Sequence, residues 1–340
     1  MSATSVDVFG WSPEFLKHDR SRTRTDGPTL LQVRSRLDSL IASADVPPAI
    51  GFIISCSQIA ELNKEGPAEQ AERLSKGDML ATRPLAAGSM EAKTSCVAVK
   101  VSPHGKRVSK GLGPTQVACG MPDGPAIMAT LAQIAIDKNH ATKLDDKKSA
   151  FQNLSRKAMH DAMDAHFPAA SSFFGLIYGH PAPVFYLFYD HDSASWACII
   201  LWSREGPRQG CVLGSYVYGI TTKTPLQTIQ NQYPNILVVA QCDDVARHLP
   251  MPTDRSKHGW DAHYDHLRDL FAFEKAIYKP LHQDRHPKKS KIILPRCWPD
   301  PAGRLDYDGI PCKVMWGGGI SSGVAFGEDT YRRNQATIKA

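Results

Sequence analysis

The chain lacks several features that would place it at once. Its 340 residues contain no apolar run near the roughly 18 residues that a bilayer-spanning helix requires. The opening Met1-Ser2-Ala3-Thr4-Ser5-Val6-Asp7 has neither the charged nor the apolar region of a signal peptide. The expected location is therefore cytosolic or nuclear, away from a membrane. Eight cysteines, at 56, 96, 119, 198, 211, 242, 297 and 312, form no Cys-x-x-Cys pair, so neither a zinc knuckle nor a disulfide framework is expected. No internal repeat and no low-complexity tract is present.

What is there describes a globular protein. Hydrophobic residues make up 42% of the chain and mean hydropathy is −0.30, enough apolar surface for a sizeable core. Lys and Arg number 40 against 34 acids, a formal net charge of +6 that suits an anionic partner without identifying one.

The most informative local feature is the run Ile236-Leu237-Val238-Val239-Ala240-Gln241-Cys242-Asp243-Asp244-Val245. Adjacent carboxylates repel, so a strand end carrying two of them either exposes both to water in a surface turn or holds cations there. A second acidic segment, Lys143-Leu144-Asp145-Asp146, reads as a short strand running into a helix with a packing face at Leu154, Ala158, Met159 and Ala162. An Asp leaving that strand would complete a three-carboxylate site with Asp243 and Asp244. Such an oxygen shell suits Mg²⁺, and two ions roughly 3.5–4 Å apart clamp the attacking and leaving oxygens of a phosphoryl transfer.

Between the acidic segments lies Ser203-Arg204-Glu205-Gly206-Pro207-Arg208-Gln209-Gly210-Cys211-Val212-Leu213-Gly214. Its glycines permit close backbone approach to a ligand, and Arg208 and Gln209 offer donors to phosphates or base edges. Upstream, Ala81-Thr82-Arg83-Pro84-Leu85-Ala86-Ala87-Gly88 follows Lys64. Downstream, His286-Pro287-Lys288-Lys289-Ser290-Lys291 leads into Ile292-Ile293-Leu294. Taken singly, each is an ordinary loop, solvated face or strand lead-in.

In order and spacing these segments resemble the reverse transcriptases of retroelements of the non-LTR, LINE-like kind. Those motifs read Asp-x-Lys-Asn-Ala-Phe-Asn-x-x-x-Arg, then Gly-x-Arg-Gln-Gly-x-x-Leu, then Tyr-x-Asp-Asp. Gly206-Pro207-Arg208-Gln209-Gly210-Cys211-Val212-Leu213 matches the middle motif at every fixed position, and the resemblance runs from about Phe52 to Gly319. It implies an α+β right-hand polymerase core, fingers and palm, with an antiparallel palm sheet backed by helices. The implied activity is RNA-directed DNA synthesis with two Mg²⁺ ions, Mn²⁺ as substitute, on an RNA template and a DNA primer with deoxynucleoside triphosphates.

Residue by residue, the resemblance makes Asp146 rather than Asp145 the third metal ligand beside Asp243 and Asp244. Phe151 is the ring under the nucleotide sugar, where its alternative is a plain core phenylalanine. Lys64 and Arg83 hold the triphosphate, Gly206, Arg208, Gln209 and Gly210 position nucleotide and template, and Lys289 protonates the leaving pyrophosphate. Residues 308–319 correspond to a hairpin gripping the primer end. Three departures stand out: Gln241 in place of Tyr, Ser149 in place of Asn, and Gln152 in place of the second Asn. These departures keep open a catalytically inactive relic that binds nucleic acid, and an RNA-dependent RNA polymerase is the enzymatic rival that Phe151 disfavours.

The expected organisation is an N-terminal extension over residues 1–45, fingers over 46–124, palm over 125–295, and over 296–340 the primer-grip-like hairpin with the start of a thumb or a truncated one. Helices are expected over 30–44, 126–138 and 212–229, hairpins over 182–202 and 235–245, and a polar connection over 66–77. The cluster His258, Asp261, His263 and His266 reads as a wet helix, with a metal site as the alternative.

Overall fold

The computed structural model describes residues 30–63, 66–76, 82–190, 193–301, 303–307, 309–321, 324–329 and 331–332. The chain divides into two compact units, Met1–Gly105 with Met163–Gly214, and Lys106–Ala162 with Ser215–Ala340. Residues 163–214, expected in the palm, thus cluster with the N-terminal part. The strands are, in chain order, β1 (Ser57–Asn63), β2 (Thr82–Gly88), β3 (Ala141–Asp145), β4 (Ala182–Asp190), β5 (Ser195–Ser203), β6 (Leu237–Gln241), β7 (Asp244–Leu249), β8 (Lys291–Leu294), β9 (Asp306–Tyr307), β10 (Ile310–Pro311), β11 (Lys313–Trp316), β12 (Gly318–Ser321) and β13 (Val324–Gly327). The class is α+β with mostly antiparallel sheets.

In the first unit the sheet runs β2-β1-β4-β5, antiparallel except where β1 lies parallel to β4. The expected hairpin over 182–202 is β4 and β5, paired from Ala182↔Ser203 to Asp190↔Ser195. Helix Pro48–Ser55 starts on a proline, whose missing N–H costs nothing in the first turn. Helix Met90–Val101 is capped by Ser89, whose Oγ accepts from Ala92 N at 3.1 Å. Residues 66–77 are not a plain connection, because Pro67–Ser75 forms a helix with Glu69 in its first turn and Arg73 in its last, each favourably placed on the helix dipole.

In the second unit a five-stranded sheet runs β11-β8-β3-β7-β6. Pleating assigns its two faces. On one face Leu144 packs against Ala132 and Ile136 of helix Gly124–Asp137, and the opposed Ala246 packs with Met128, Val117 and Val239. On the other face the neighbouring positions Lys143, Asp145 and Arg247 meet helix Lys257–Tyr278 through Glu274, and Lys143 Nζ lies 4.6 Å from the centre of the Phe271 ring. That helix is not wet all round. Trp260, Tyr264, Leu267, Leu270 and Phe271 are buried at helical spacing, and His263 packs edge-on to Trp298 at 5.4 Å. Burial holds the His263 imidazole down at about 4, with His266 adding to the shift. Among the described residues no three His, Cys, Asp or Glu side chains are grouped to hold a metal.

The expected helices appear as Leu30–Ala42, Gly124–Asp137 and Gly214–Gln232, the last with Pro225 inside it. The primer-grip segment is not one hairpin. β9 and β10 pair with each other, β11 joins the five-stranded sheet parallel to β8, and β12 pairs with β13.

Candidate active site

β6 and β7 close at Gln241↔Asp244, leaving Cys242 and Asp243 as the two turn residues. Two-residue hairpin turns require positive φ, and Cys242 takes it at φ 53°. The turn is held by Gln116, a buried side chain. Cys242 N donates to Gln116 Oε1 at 2.9 Å, and Gln116 Nε2 donates to the Cys242 carbonyl at 3.3 Å. The same element carries the register inward, because Val117 N donates to the Ala240 carbonyl at 2.7 Å.

Alternation along β3 separates its two acids. Asp145 is 3% exposed and lies 2.7 Å from Lys143 Nζ and 2.5 Å from Arg247, with Arg285 at 3.3 Å. Burial opposes ionisation of Asp145, but Lys143, Arg247, Lys147 and Arg285 together overcome it and hold the carboxyl well below the usual range. Asp146, one residue on, turns to the opposite face and lines a cleft with Leu144, Met128, Asp244, Lys289 and Lys291, a cleft that Asp145 also borders. Its side chain is 39% exposed. The main chain at Asp146 is fastened to the turn before β8. Asp146 N donates to Ser290 Oγ at 3.1 Å, Ser290 Oγ donates back to the Asp146 carbonyl at 3.2 Å, and His286 N donates to that carbonyl at 2.8 Å. Lys289 Nζ consequently lies 4.0 Å from Asp146 Oδ2.

Asp146 and Asp244 therefore share one cleft with Lys289. Asp243, in the turn itself, acts on Tyr218. Burial first, then the Asp243 charge, raises the Tyr218 phenol well above its ordinary value. Phe151 is half-buried and stacks on Tyr218 with ring centres 4.9 Å apart. Tyr218 Oη donates to Gln283 Oε1 at 2.8 Å, and Gln283 Nε2 donates to the Ala150 carbonyl at 2.9 Å. This closed set of contacts fixes Phe151 through its own neighbour.

The remaining predicted residues lie in the first unit or outside the described residues. Lys64 is among the latter, and of Arg83 only the backbone, in β2 opposite Leu62, is described. Gly206 and Gly210 have φ of 61° and 102°, backbone shapes that favour glycine. A Cβ at Gly210 would meet the Ala86 carbonyl at 2.8 Å, and Gln209 O accepts from Ala86 N at 2.7 Å, so this loop is docked on β2. Arg208 donates through Nη1 to the Ser55 carbonyl and lies 5.0 Å over the Tyr178 ring. At least one of its donors thus serves the fold rather than a ligand. Beside it, hydrogen bonding to Cys96 lowers the Cys211 thiol against the opposing effect of burial, with Tyr178 and the Arg208 charge lowering it further, to about 6.

Sequence reasoning missed Gln116, whose only signal is a polar residue in an otherwise unremarkable loop. It also left Lys291 unassigned. Lys291 lines the cleft, and burial and Lys313 lower its ammonium while Asp244 raises it.

No protein-family model matches the chain. A similar curated protein is the retrotransposable element SLACS 132 kDa protein of Trypanosoma brucei gambiense, 26% identical over 193 residues, which covers 53% of this chain and 16% of that protein. Among solved structures, apo telomerase from Candida tropicalis, truncated from the C-terminal domain, aligns with a TM-score of 0.48 at 10% identity, covering 73% of this chain and 51% of that one. Telomerase from Candida albicans, in complex with a fragment of telomeric RNA, aligns with a TM-score of 0.49 at 11% identity, covering 80% and 49%. The chain spans a small part of the curated protein and about half of each telomerase chain. The motif resemblance to retroelement reverse transcriptases is thus accompanied by sequence similarity to a retrotransposable element protein. Among the described residues no helix is long and apolar enough to cross a membrane.

Proposed function

We propose that the chain is a reverse transcriptase domain of retroelement origin that adds deoxynucleotides to a primer on an RNA template. The observation that carries this reading is the placement of Asp146 and Asp244 in one cleft with Lys289 4.0 Å from Asp146. Asp145 borders the same cleft, but its carboxylate is engaged by Lys143 and Arg247.

The donor set fits Mg²⁺. Both cleft carboxylates are hard oxygen donors reachable from solvent, and Mg²⁺ ordinarily takes one or two carboxylates and completes its shell with water and substrate phosphates. Asp146 and Asp244 would hold it, with Asp243 one residue away in the turn. Bound there, the ions would supply charge stabilisation to the attacking and leaving oxygens.

The chain's own residues account for the other roles. Lys289, exposed and beside Asp146, donates a proton to the leaving pyrophosphate, and Lys291 adds positive charge on the same side. Phe151, immobilised by Tyr218, presents a ring that leaves no room for a 2′-hydroxyl. The loop from Gly206 to Gly210 is docked on β2, and Gln209 is assigned to the template on the motif resemblance alone. Lys64 and Arg83 are assigned to the triphosphate on the motif resemblance alone.

Primer extension on poly(rA) with an oligo(dT) primer, in Mg²⁺ and then Mn²⁺, tests this reading. Extension by the wild-type chain and its loss in Asp244→Ala support it. Primer-template binding without extension under either metal favours a relic that binds nucleic acid without copying it.

A further inference from the structure

The second unit contains another cavity, of about 440 Å³, that shares no lining residue with the acidic cleft. Five cationic side chains line it, Lys147, Lys148, Lys275, Lys279 and Arg285, against two acids, Glu274 and Asp284. Most of the inner charges are already matched. Glu274 pairs with Lys143 at 2.5 Å and with Arg247, and Arg285 lies 3.3 Å from Asp145 and 3.6 Å from Cys312 Sγ.

Lys147 is the exception. Two residues beyond Asp145, it points to the same side of the sheet and is 7% exposed. Among the described residues its ammonium has no hydrogen-bond or ion-pair partner; Asp145 and Glu274 act on it from beyond ion-pair distance, and Nζ lies 3.7 Å from the centre of the Tyr278 ring. A ring face offsets part of the cost of desolvating an ammonium, but it accepts none of the three N–H bonds. A buried cation in this position is stabilised by an anion that accepts hydrogen bonds.

We propose that this cavity binds a phosphate group, free or as a phosphomonoester, with Lys147 as its buried donor and Lys148, Lys275 and Lys279 as a cationic rim. Lysines arriving from two segments, 147–148 and 275–279, suit a compact dianion better than a planar carboxylate, which is the natural partner of a guanidinium fork. The site is independent of the polymerase reading and stands or falls without it.

The test is calorimetric titration of the full chain with inorganic phosphate and, separately, methyl phosphate, at ionic strength held constant with chloride. Saturable binding of either is expected, and the tighter of the two identifies the source of the group. Lys147→Met should weaken binding by at least about tenfold, since a hydrogen bond to a charged group is lost. Lys275→Ala, an exposed change that leaves the interior intact, should weaken it severalfold, and Lys289→Ala should leave it unchanged. Absence of saturable binding overturns the proposal. So does binding that Lys147→Met and Lys275→Ala both retain, or binding that Lys289→Ala abolishes.

Discussion

Ser290 and Asp146 hold each other by reciprocal hydrogen bonds, 3.1 Å from Asp146 N to Ser290 Oγ and 3.2 Å from Ser290 Oγ to the Asp146 carbonyl. The pair joins two segments 144 positions apart and sets the distance between Asp146 and Lys289. Ser290→Ala should therefore destabilise the chain by about 1–3 kcal/mol, the cost of leaving a buried amide unsatisfied. It should also lower kcat for extension more than it raises KM for the nucleotide, because in the proposed function the groups it displaces act on the reacting phosphate. Urea denaturation and steady-state extension read the two effects separately.

Asp145 and Asp146 should fail in different ways. Asp145→Asn breaks a buried cluster and leaves Lys143 and Arg247 short of negative charge, a change that costs about 3–5 kcal/mol. Asp146→Asn should leave the unfolding free energy in urea within about 0.5 kcal/mol of wild type, as expected for a partly exposed residue. An unchanged midpoint for Asp145→Asn would count against the assignment of the two faces.

His248 predicts the acid limb of stability. Its ring is buried, Nδ1 lies 3.0 Å from Thr142 Oγ1, and Nε2 has no acceptor, so the second proton is poorly accommodated. Burial, with a smaller effect of His140, holds its pKa at about 4 against an ordinary value of 6.5. The unfolded chain takes up this proton below 6.5 while the folded chain resists it down to about 4. Stability from this group is therefore complete above pH 6.5 and is lost as pH falls toward 4, up to about 3 kcal/mol. Chemical denaturation of His248→Gln between those pH values should show a shallower decline than wild type.

Gln116 predicts the rigidity of the acidic turn. Gln116→Ala leaves the Cys242 N–H and carbonyl without their side-chain partner and should cost about 2 kcal/mol. Hydrogen exchange at Cys242 should accelerate, while exchange in the interior of β7 stays slow.

Much of this arrangement is local and could be read along the chain. The β4–β5 hairpin follows from two β-rich runs about a polar turn, and the acidic turn from an apolar run ending in Asp-Asp. Period two along β3 accounts for the opposite fates of Asp145 and Asp146, although the motif register, rather than the pleat, selected Asp146 from the sequence. What escaped depends on partners distant in the chain. Glu274 looks like one more charge on a surface helix until Lys143 and Arg247 meet it 131 and 27 positions away. Arg208 reads as a ligand donor until Ser55 and Tyr178 are found beside it. The helix at Pro67–Ser75 reads as a connection because its apolar stripe, Ala68, Ala71 and Leu74, is short and set among polar residues.

The most direct test is single-turnover incorporation of one deoxynucleotide in Mg²⁺, comparing wild type with Asp146→Asn at matched primer-template occupancy. Wild type should extend the primer, and Asp146→Asn should slow by about a thousandfold or more, the scale of about 4 kcal/mol of lost charge stabilisation. Equal rates for the two proteins would contradict the role proposed for Asp146.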